Sequence, residues 1–251
     1  MGEELDATEF TVSKVIKDLD VILNRIEPSG FSGLSLASGS TGFLSDIGQR
    51  INSINASINL TAETSASQVE KAIYLLRDWM VNGAIVRVIG AGRAKLAGSM
   101  PANRLAHGGA RVSIQDDFVP MPHSIKGGGI IAVSASGKTR SVLAVLQNIK
   151  QKKANIKIIG IADFQASQFC DLCDIFVGIR LAKLQNPLQA LADTEEFVIS
   201  MLLDAMVVYA GKLAGFDDTT WRLGHEDIGP SGPYGAPTRS DIYTSDPYFQ
   251  L

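Results

Sequence analysis

Histidine and cysteine are scarce in this 251-residue chain, which has three of the first and two of the second. A structural zinc site needs about four ligands of these types. His107, His123 and His225 are scattered without ligand-like spacing, and Cys170 with Cys173 supply at most half a set. That Cys-x-x-Cys pair reads as two small apolar residues on consecutive turns of a short helix before a strand, in preference to a redox pair or half a zinc site. Positive charge is not in excess either: the formal charge is -3. This leaves no basic field to hold a polyanion such as nucleic acid, so any phosphate recognised is expected to be small and local. No uninterrupted apolar run reaches membrane-spanning length. The opening Met1-Gly2-Glu3-Glu4 leads into an acidic stretch with neither a basic n-region nor an apolar h-region. A cytoplasmic location is the expectation.

What is present is the balance of a folded globular protein, 45% hydrophobic and 20% charged residues. The length suits one sizeable α/β domain with extensions, and two full domains would be tight. Near the start, a helix is predicted over Thr8 to Arg25, where Val12, Val15, Ile16, Leu19, Ile22, Leu23 and Ile26 recur at amphipathic spacing and Pro28 and Gly30 end it. A Ser/Gly-rich loop runs from Ser29 to Gly42. Two further helices are predicted near Leu44 to Ile58 and Ser65 to Met80, the second with Val69, Ile73, Leu76 and Met80 on one face and Thr64 or Ser65 as its cap.

After Asn82-Gly83 the pattern changes. Ala84 to Ile89 is a short β-branched run of the kind found in buried parallel strands. Further strands are predicted at Ala110 to Ile114, Ile130 to Val133, Ile156 to Ile161 and Ile175 to Ile179, with helices at Arg93 to His107, Arg140 to Lys153 and Gln165 to Leu172 between them. Repeated strand-helix-strand units with right-handed crossovers force a parallel sheet with helices on both faces, and place the ligand site beyond the carboxyl ends of the strands. A long helix from about Asp193 to Leu213 closes the domain. The organisation expected is a helical segment with its loop over 1–82, an α/β domain over 83–228 and a Pro/Gly/Tyr-rich tail over 229–251. Disorder is the default reading of that tail, although Tyr234, Tyr243, Tyr248 and Phe249 give it something to bury on the domain or on a partner subunit.

The turn Ser134-Ala135-Ser136-Gly137-Lys138-Thr139 follows the third strand and runs straight into a helix. A helix N-terminus offers unpaired N–H groups and the positive end of a dipole, and Gly137 lets the chain approach an anion closely. Hydroxyls on Ser134, Ser136 and Thr139 supplement those donors; a plain helix cap would need only one. Lys138 either adds positive charge to the rim or points to solvent. The first strand ends in Gly90-Ala91-Gly92-Arg93, which suggests a dinucleotide fingerprint, but Lys95 stands where the third glycine belongs. A nucleotide cofactor is therefore not expected. The glycines fit a tight strand-to-helix turn at the rim of the same site, with Arg93 facing the ligand or serving in a surface ion pair.

This arrangement resembles the sugar isomerase (SIS) domain family, whose phosphate loop reads Ser-x-Ser-Gly-x-Thr/Ser, and within it is most similar to the 6-phospho-3-hexuloisomerases. The resemblance runs from about Gly83 to Gly229 through Gly90-Ala91-Gly92-Arg93, Arg104-Leu105-Ala106-His107-Gly108-Gly109, the phosphate loop, Leu203-Asp204-Ala205 and Trp221-Arg222-Leu223-Gly224-His225. It implies a doubly wound five-stranded parallel sheet in flavodoxin-like order, preceded by helices. It also implies a phosphorylated sugar as ligand, bound by Gly92, Arg93, Ser134, Ser136, Gly137, Lys138 and Thr139, with no cofactor and no metal. It places the catalytic base at Glu196, with Glu195 next to it as the alternative, and gives His225 the completion of a neighbouring subunit's site, hence a homodimer or homotetramer. Moving a carbonyl along a sugar through an enediol requires a base to lift a proton from one carbon and return it to the next, which a partly buried carboxylate can do, and a second group such as imidazole to serve the oxygens.

The chain departs from that pattern in places. Ala94 stands where relatives tend to carry serine, Lys138 replaces a frequent glutamate, and Asn186-Pro187-Leu188-Gln189-Ala190 takes the place of a Pro-Leu-Gly-Thr approach to the last helix. These bear on the substrate more than on the fold. Another aldose-ketose phosphosugar isomerase, or a non-catalytic sugar-phosphate sensor, stays open beside the hexuloisomerase. Glu195 and Glu196 also read as acids that stabilise a helix N-terminus, and His225 as a turn residue beside Asp227. His107, at a helix C-terminus, reads as structural, and the role of His123 is open.

Overall fold

A computed structural model describes residues 40–114, 128–152, 156–184 and 193–223. The predicted helix over Thr8 to Arg25, the tail, His123 and His225 lie outside these residues. Among the described residues, seven helices and five strands alternate: α1 (Ser40–Thr64), α2 (Ala66–Val81), β1 (Ile85–Ile89), α3 (Gly92–His107), β2 (Arg111–Ile114), β3 (Gly129–Ser134), α4 (Arg140–Gln151), β4 (Lys157–Asp163), α5 (Ser167–Cys170), β5 (Ile175–Ile179), α6 (Asp193–Leu213) and α7 (Asp218–Leu223). The strands form one sheet in the order β2-β1-β3-β4-β5 with every pair parallel, the doubly wound order expected. Ligands in such sheets bind where the strand order reverses, here between β1 and β3.

Side chains of successive strand residues alternate between two cores. Val86, Ile131 and Val133, Ile159 and Ile161, and Val177 and Ile179 face one side, where α1, α2, α3 and α6 pack. Ile89, Ile130, Ala132, Ile158 and Ala162 face the other, under α4 and α5. The described helices of the segment over 1–82 thus share a core with the sheet, through Ile54 and Ile58 of α1 and Val69, Ile73, Leu76 and Trp79 of α2. Trp79 lies flat against Gly129, where any side chain would overlap its ring. Helix α6 is the most enclosed, burying Val198, Ile199, Leu202, Leu203, Met206 and Val207. At about 1.5–3 kcal/mol for each such side chain, this helix anchors that face.

Parallel strands leave unpaired backbone groups at both edges of the sheet. At the β5 edge, α1 and the residue after it supply hydroxyls in their place. Ser65 Oγ donates to the Gly178 carbonyl at 3.1 Å, Arg180 N–H donates to Thr61 Oγ1 at 3.0 Å and Ala182 N–H donates to Ser57 Oγ at 3.0 Å. These contacts carry α1 to Thr64, past the predicted end at Ile58.

Cys170 and Cys173 are free thiols, and their surroundings fit the structural reading of the pair. Cys173 Sγ donates to the Phe169 carbonyl at 3.1 Å and packs on Gly160. Burial first, with Cys170 and Asp174 adding to it and Lys150 opposing, pushes its thiol from an ordinary 9.0 up to about 12. A thiol whose folded value is raised stabilises the fold fully below its unfolded value and loses that contribution as pH climbs. Unfolding titrations should therefore show stability falling between pH 9 and 12 by up to about 1.4 kcal/mol per pH unit, with the slope reduced in Cys173→Ala. An identical slope in that variant would assign the loss to other groups.

Candidate active site

Two strand-to-helix turns flank the β1/β3 switch point, and neither following helix has a side-chain cap. At the end of β1 the chain passes Gly90, where a Cβ would stand 2.8 Å from both Lys95 Cα and Val133 Cγ2, then Ala91 in an extended conformation, then Gly92 at φ +55°. Ala91 has no oxygen with which to cap α3. At the end of β3 Thr139 precedes α4, but its hydroxyl turns back to Ser134 Oγ at 3.1 Å and caps nothing. The first-turn N–H groups of both helices are thus untouched by cap side chains, and each carries the positive end of a helix dipole.

The turn itself is held from within. Gly137 N–H donates to Ser134 Oγ at 3.1 Å, and Lys138 N–H donates to Ser136 Oγ at 3.3 Å. Gly137 adopts φ +64° and is pressed against Ala166, so that a Cβ there would overlap the alanine methyl. Asp163 N–H donates to the Ala135 carbonyl at 3.0 Å and ties the turn to the end of β4. Ser134 is buried and spends its hydroxyl inside the turn, whereas Ser136 and Lys138 lie on the rim. Of the three expected hydroxyl donors, Ser136 is the one best placed to meet a ligand.

Glu196 lies in the first turn of α6, where Asp193, Glu195 and Glu196 set three carboxylates at the positive end of the helix. Its Oε2 stands 2.7 Å from Arg93 Nε; the glutamate side chain is 15% exposed and the arginine 55%. A second pair, Arg104 Nε to Asp204 Oδ1 at 2.7 Å, joins the same two helices further along. Since 93 meets 196 and 104 meets 204, α3 and α6 run parallel, both starting at the carboxyl edge of the sheet. The structure therefore brings Arg93 onto Glu196, at the edge that also carries Gly92 and the turn over Ser134 to Thr139. One oxygen of Glu195 is buried without a hydrogen-bond partner. Sequence reading did not find Arg50, which meets Asp193 Oδ2 at 2.7 Å and lies over the Phe197 ring at 5.0 Å. Its only signal is a cation on a helix whose next turns, Ile51 to Leu60, carry no charge.

No family model matches the chain. An uncharacterised protein of Aeropyrum pernix is 25% identical over 193 residues, 71% of this chain and 86% of that protein. Among solved structures, a hypothetical protein of Methanococcus jannaschii, inferred to have the molecular function of 3-hexulose-6-phosphate isomerase, superposes with a TM-score of 0.57 at 21% identity over 71% of this chain and 98% of its own. The chain has the fold of the sugar isomerase domain. Other proteins sharing this fold include one from Escherichia coli CFT073 (TM-score 0.58, 19% identity, 76% of this chain and 100% of that one). The Vibrio vulnificus NanR protein complexed with ManNAc-6P matches at a TM-score of 0.58 and 16% identity, over 86% of this chain and 74% of that one. Among the described residues no helix of this SIS fold is long and apolar enough to cross a membrane.

Proposed function

We propose that this chain is a sugar-phosphate isomerase of the 6-phospho-3-hexuloisomerase type, interconverting 3-hexulose 6-phosphate and fructose 6-phosphate. The observation that carries the reading is Glu196, a mostly buried carboxylate held 2.7 Å from Arg93 at the edge of the sheet that bears the Ser134 to Thr139 turn. The turn and the start of α4 hold the phosphate, with the Ser136 hydroxyl and the first-turn N–H groups of α4 nearest, Ser134, Gly137 and Thr139 shaping the turn from within and Lys138 adding charge. Gly92 and Arg93 orient the sugar. Glu196 takes the proton from one carbon to give the enediol and returns it to the neighbouring carbon, while His225, assigned by resemblance, serves the oxygens. A half-exposed ion pair is worth about 1 kcal/mol or less, so substrate hydroxyls can draw Arg93 off Glu196 at small expense and leave the carboxylate to act as base.

A homodimer or homotetramer belongs to the same proposal. Leu96 and Met100 on α3, with Phe197 and Met201 on α6, are 66%, 64%, 45% and 40% exposed. Along each helix they fall between the residues of the two ion pairs, and they are the exposed apolar side chains that a second copy beside Glu196 would cover. The test is to incubate the protein with 3-hexulose 6-phosphate, follow fructose 6-phosphate, and weigh the same sample by light scattering. Turnover by an oligomer is expected.

A non-catalytic sensor is the second reading, supported by the ion pair that already engages Glu196 and by the complex of the NanR protein, which shares this fold, with ManNAc-6P. Tight phosphosugar binding without turnover would select it and end the enzyme reading. A monomer at assay concentration would end the shared-site architecture.

A further inference from the structure

Helix α1 grips the connection between β5 and α6 at both ends. Where the chain leaves β5, Thr61 Oγ1 accepts from Arg180 N–H at 3.0 Å and donates to the Arg180 carbonyl at 3.2 Å, while Ser57 Oγ accepts from Ala182 N–H at 3.0 Å. Ser57 and Thr61 are one helical turn apart on a single face. Two turns nearer the N-terminus, roughly 10 Å along the axis, Arg50 meets the other end of the connection. It stands 2.7 Å from Asp193 Oδ2 and 5.0 Å from the Phe197 ring centroid. The Asp193 side chain is only 10% exposed, and its Oδ2 meets no aligned hydrogen-bond donor, so the arginine acts on it as a charge. Asp193 and Phe197 are four residues apart and share one side of α6. Glu196 projects from the same turn, roughly 60–100° around the helix from that gripped side.

We infer that Arg50 is a positioning residue of the proton-transfer site, with Thr61 as its second anchor. Helix α1 is a fixed post from which both ends of the β5–α6 connection hang, and it sets the height and rotation of the first turn of α6. Rotation of that turn by a single residue, about 100°, would swing Glu196 away from Arg93 and from the sheet edge. Neither anchor touches the sugar. The inference rests on the isomerase reading above for its kinetic consequence, but the tether itself has a readout that does not need turnover.

The test uses the full chain. Arg50→Met alone strands the buried Asp193 charge and risks unfolding, so Arg50→Met/Asp193→Asn accompanies it, with Arg50→Lys as the conservative rescue and Thr61→Val for the second anchor. Hydrogen exchange at the amides of residues 197–200 is expected to quicken tenfold or more in the double variant, with β3 and β4 unchanged. In the isomerase assay kcat should fall tenfold or more while the dissociation constant of fructose 6-phosphate stays within about twofold. Arg50→Lys should recover kcat to within about threefold of wild type, and Thr61→Val should fall between. Unchanged exchange at 197–200 in a folded double variant overturns the tether. Quickened exchange with wild-type kcat overturns its role in catalysis. Should the wild-type protein show no turnover at all, it is the isomerase reading that fails, and the exchange result alone still decides the tether.

Discussion

Glu196→Gln is expected to lower kcat about a thousandfold, within the range by which a positioned base accelerates proton transfer, while fructose 6-phosphate binds within a fewfold of wild type. The amide keeps the shape of the carboxylate and an oxygen for Arg93 Nε, now 2.7 Å from Glu196 Oε2, so the first turn of α6 stays in place. What disappears is the basicity that lifts a proton from carbon. Glu195→Gln supplies the contrast. Glu195 is adjacent in sequence but lies about 100° around the helix, and one of its oxygens is buried without a partner. Removing that charge should leave kcat within severalfold and raise stability, because burying a charged oxygen without a partner costs more than burying a neutral amide. If the two variants exchange these behaviours, Glu195 is the base and Arg93 merely braces α6. Should Glu196→Gln retain full activity, the carboxylate has no part in the chemistry.

That contrast marks the limit of what the sequence made legible. The bounds of β5 and α6 are those read from periodicity, Ile175–Ile179 and Asp193–Leu213, because a compact β-branched run and a long apolar helix leave local propensity and burial in agreement. The anion-binding turn was legible for a similar reason, since its glycine, hydroxyls and following helix are neighbours in the chain. Helix α1 was read too short, as Leu44 to Ile58 against Ser40–Thr64. Its ends carry Ser40, Thr41, Thr61 and Thr64, poor helix formers, and at the C-terminal end hydrogen bonds to Arg180, far along the chain, override propensity. Helix α5 was read too long, as Gln165 to Leu172 against Ser167–Cys170, and the six residues of α7 were missed, being too few to show a period. The pairing of Arg93 with Glu196 spans about a hundred positions. Sequence offered two uses for Arg93, a ligand contact and a surface ion pair, and the structure displays the ion pair. Arg50 was invisible for the same reason, because its partners become neighbours only once the sheet has formed.

Gly137→Ala is expected to weaken phosphosugar binding a hundredfold or more and to lower the melting temperature. Two separate effects add at this position. With φ at +64° an L-residue sits in the left-handed region, at about 1–2 kcal/mol. The new methyl would also overlap that of Ala166 and lie 3.4 Å from the Cβ atoms of Ala162 and Phe169, and such overpacking costs about 1–3 kcal/mol. Together these amount to a drop of about 4–20 °C for a domain of this size. Binding suffers along with stability because the turn relieves its clash by moving away from Ala166, which redirects the Gly137 and Lys138 N–H groups now held by Ser134 and Ser136 at 3.1 and 3.3 Å. The double variant Gly137→Ala/Ala166→Gly separates the two effects. It removes the overlap and keeps the strained dihedral, so calorimetry should show part of the stability restored and titration should show binding largely recovered. Ser136→Ala, which removes one rim hydroxyl and leaves the backbone where it is, should weaken binding only about tenfold, the worth of one hydrogen bond to a charged group. Wild-type affinity in folded Gly137→Ala would mean that the phosphate is held elsewhere on the carboxyl edge, and the assignment of this turn would fall.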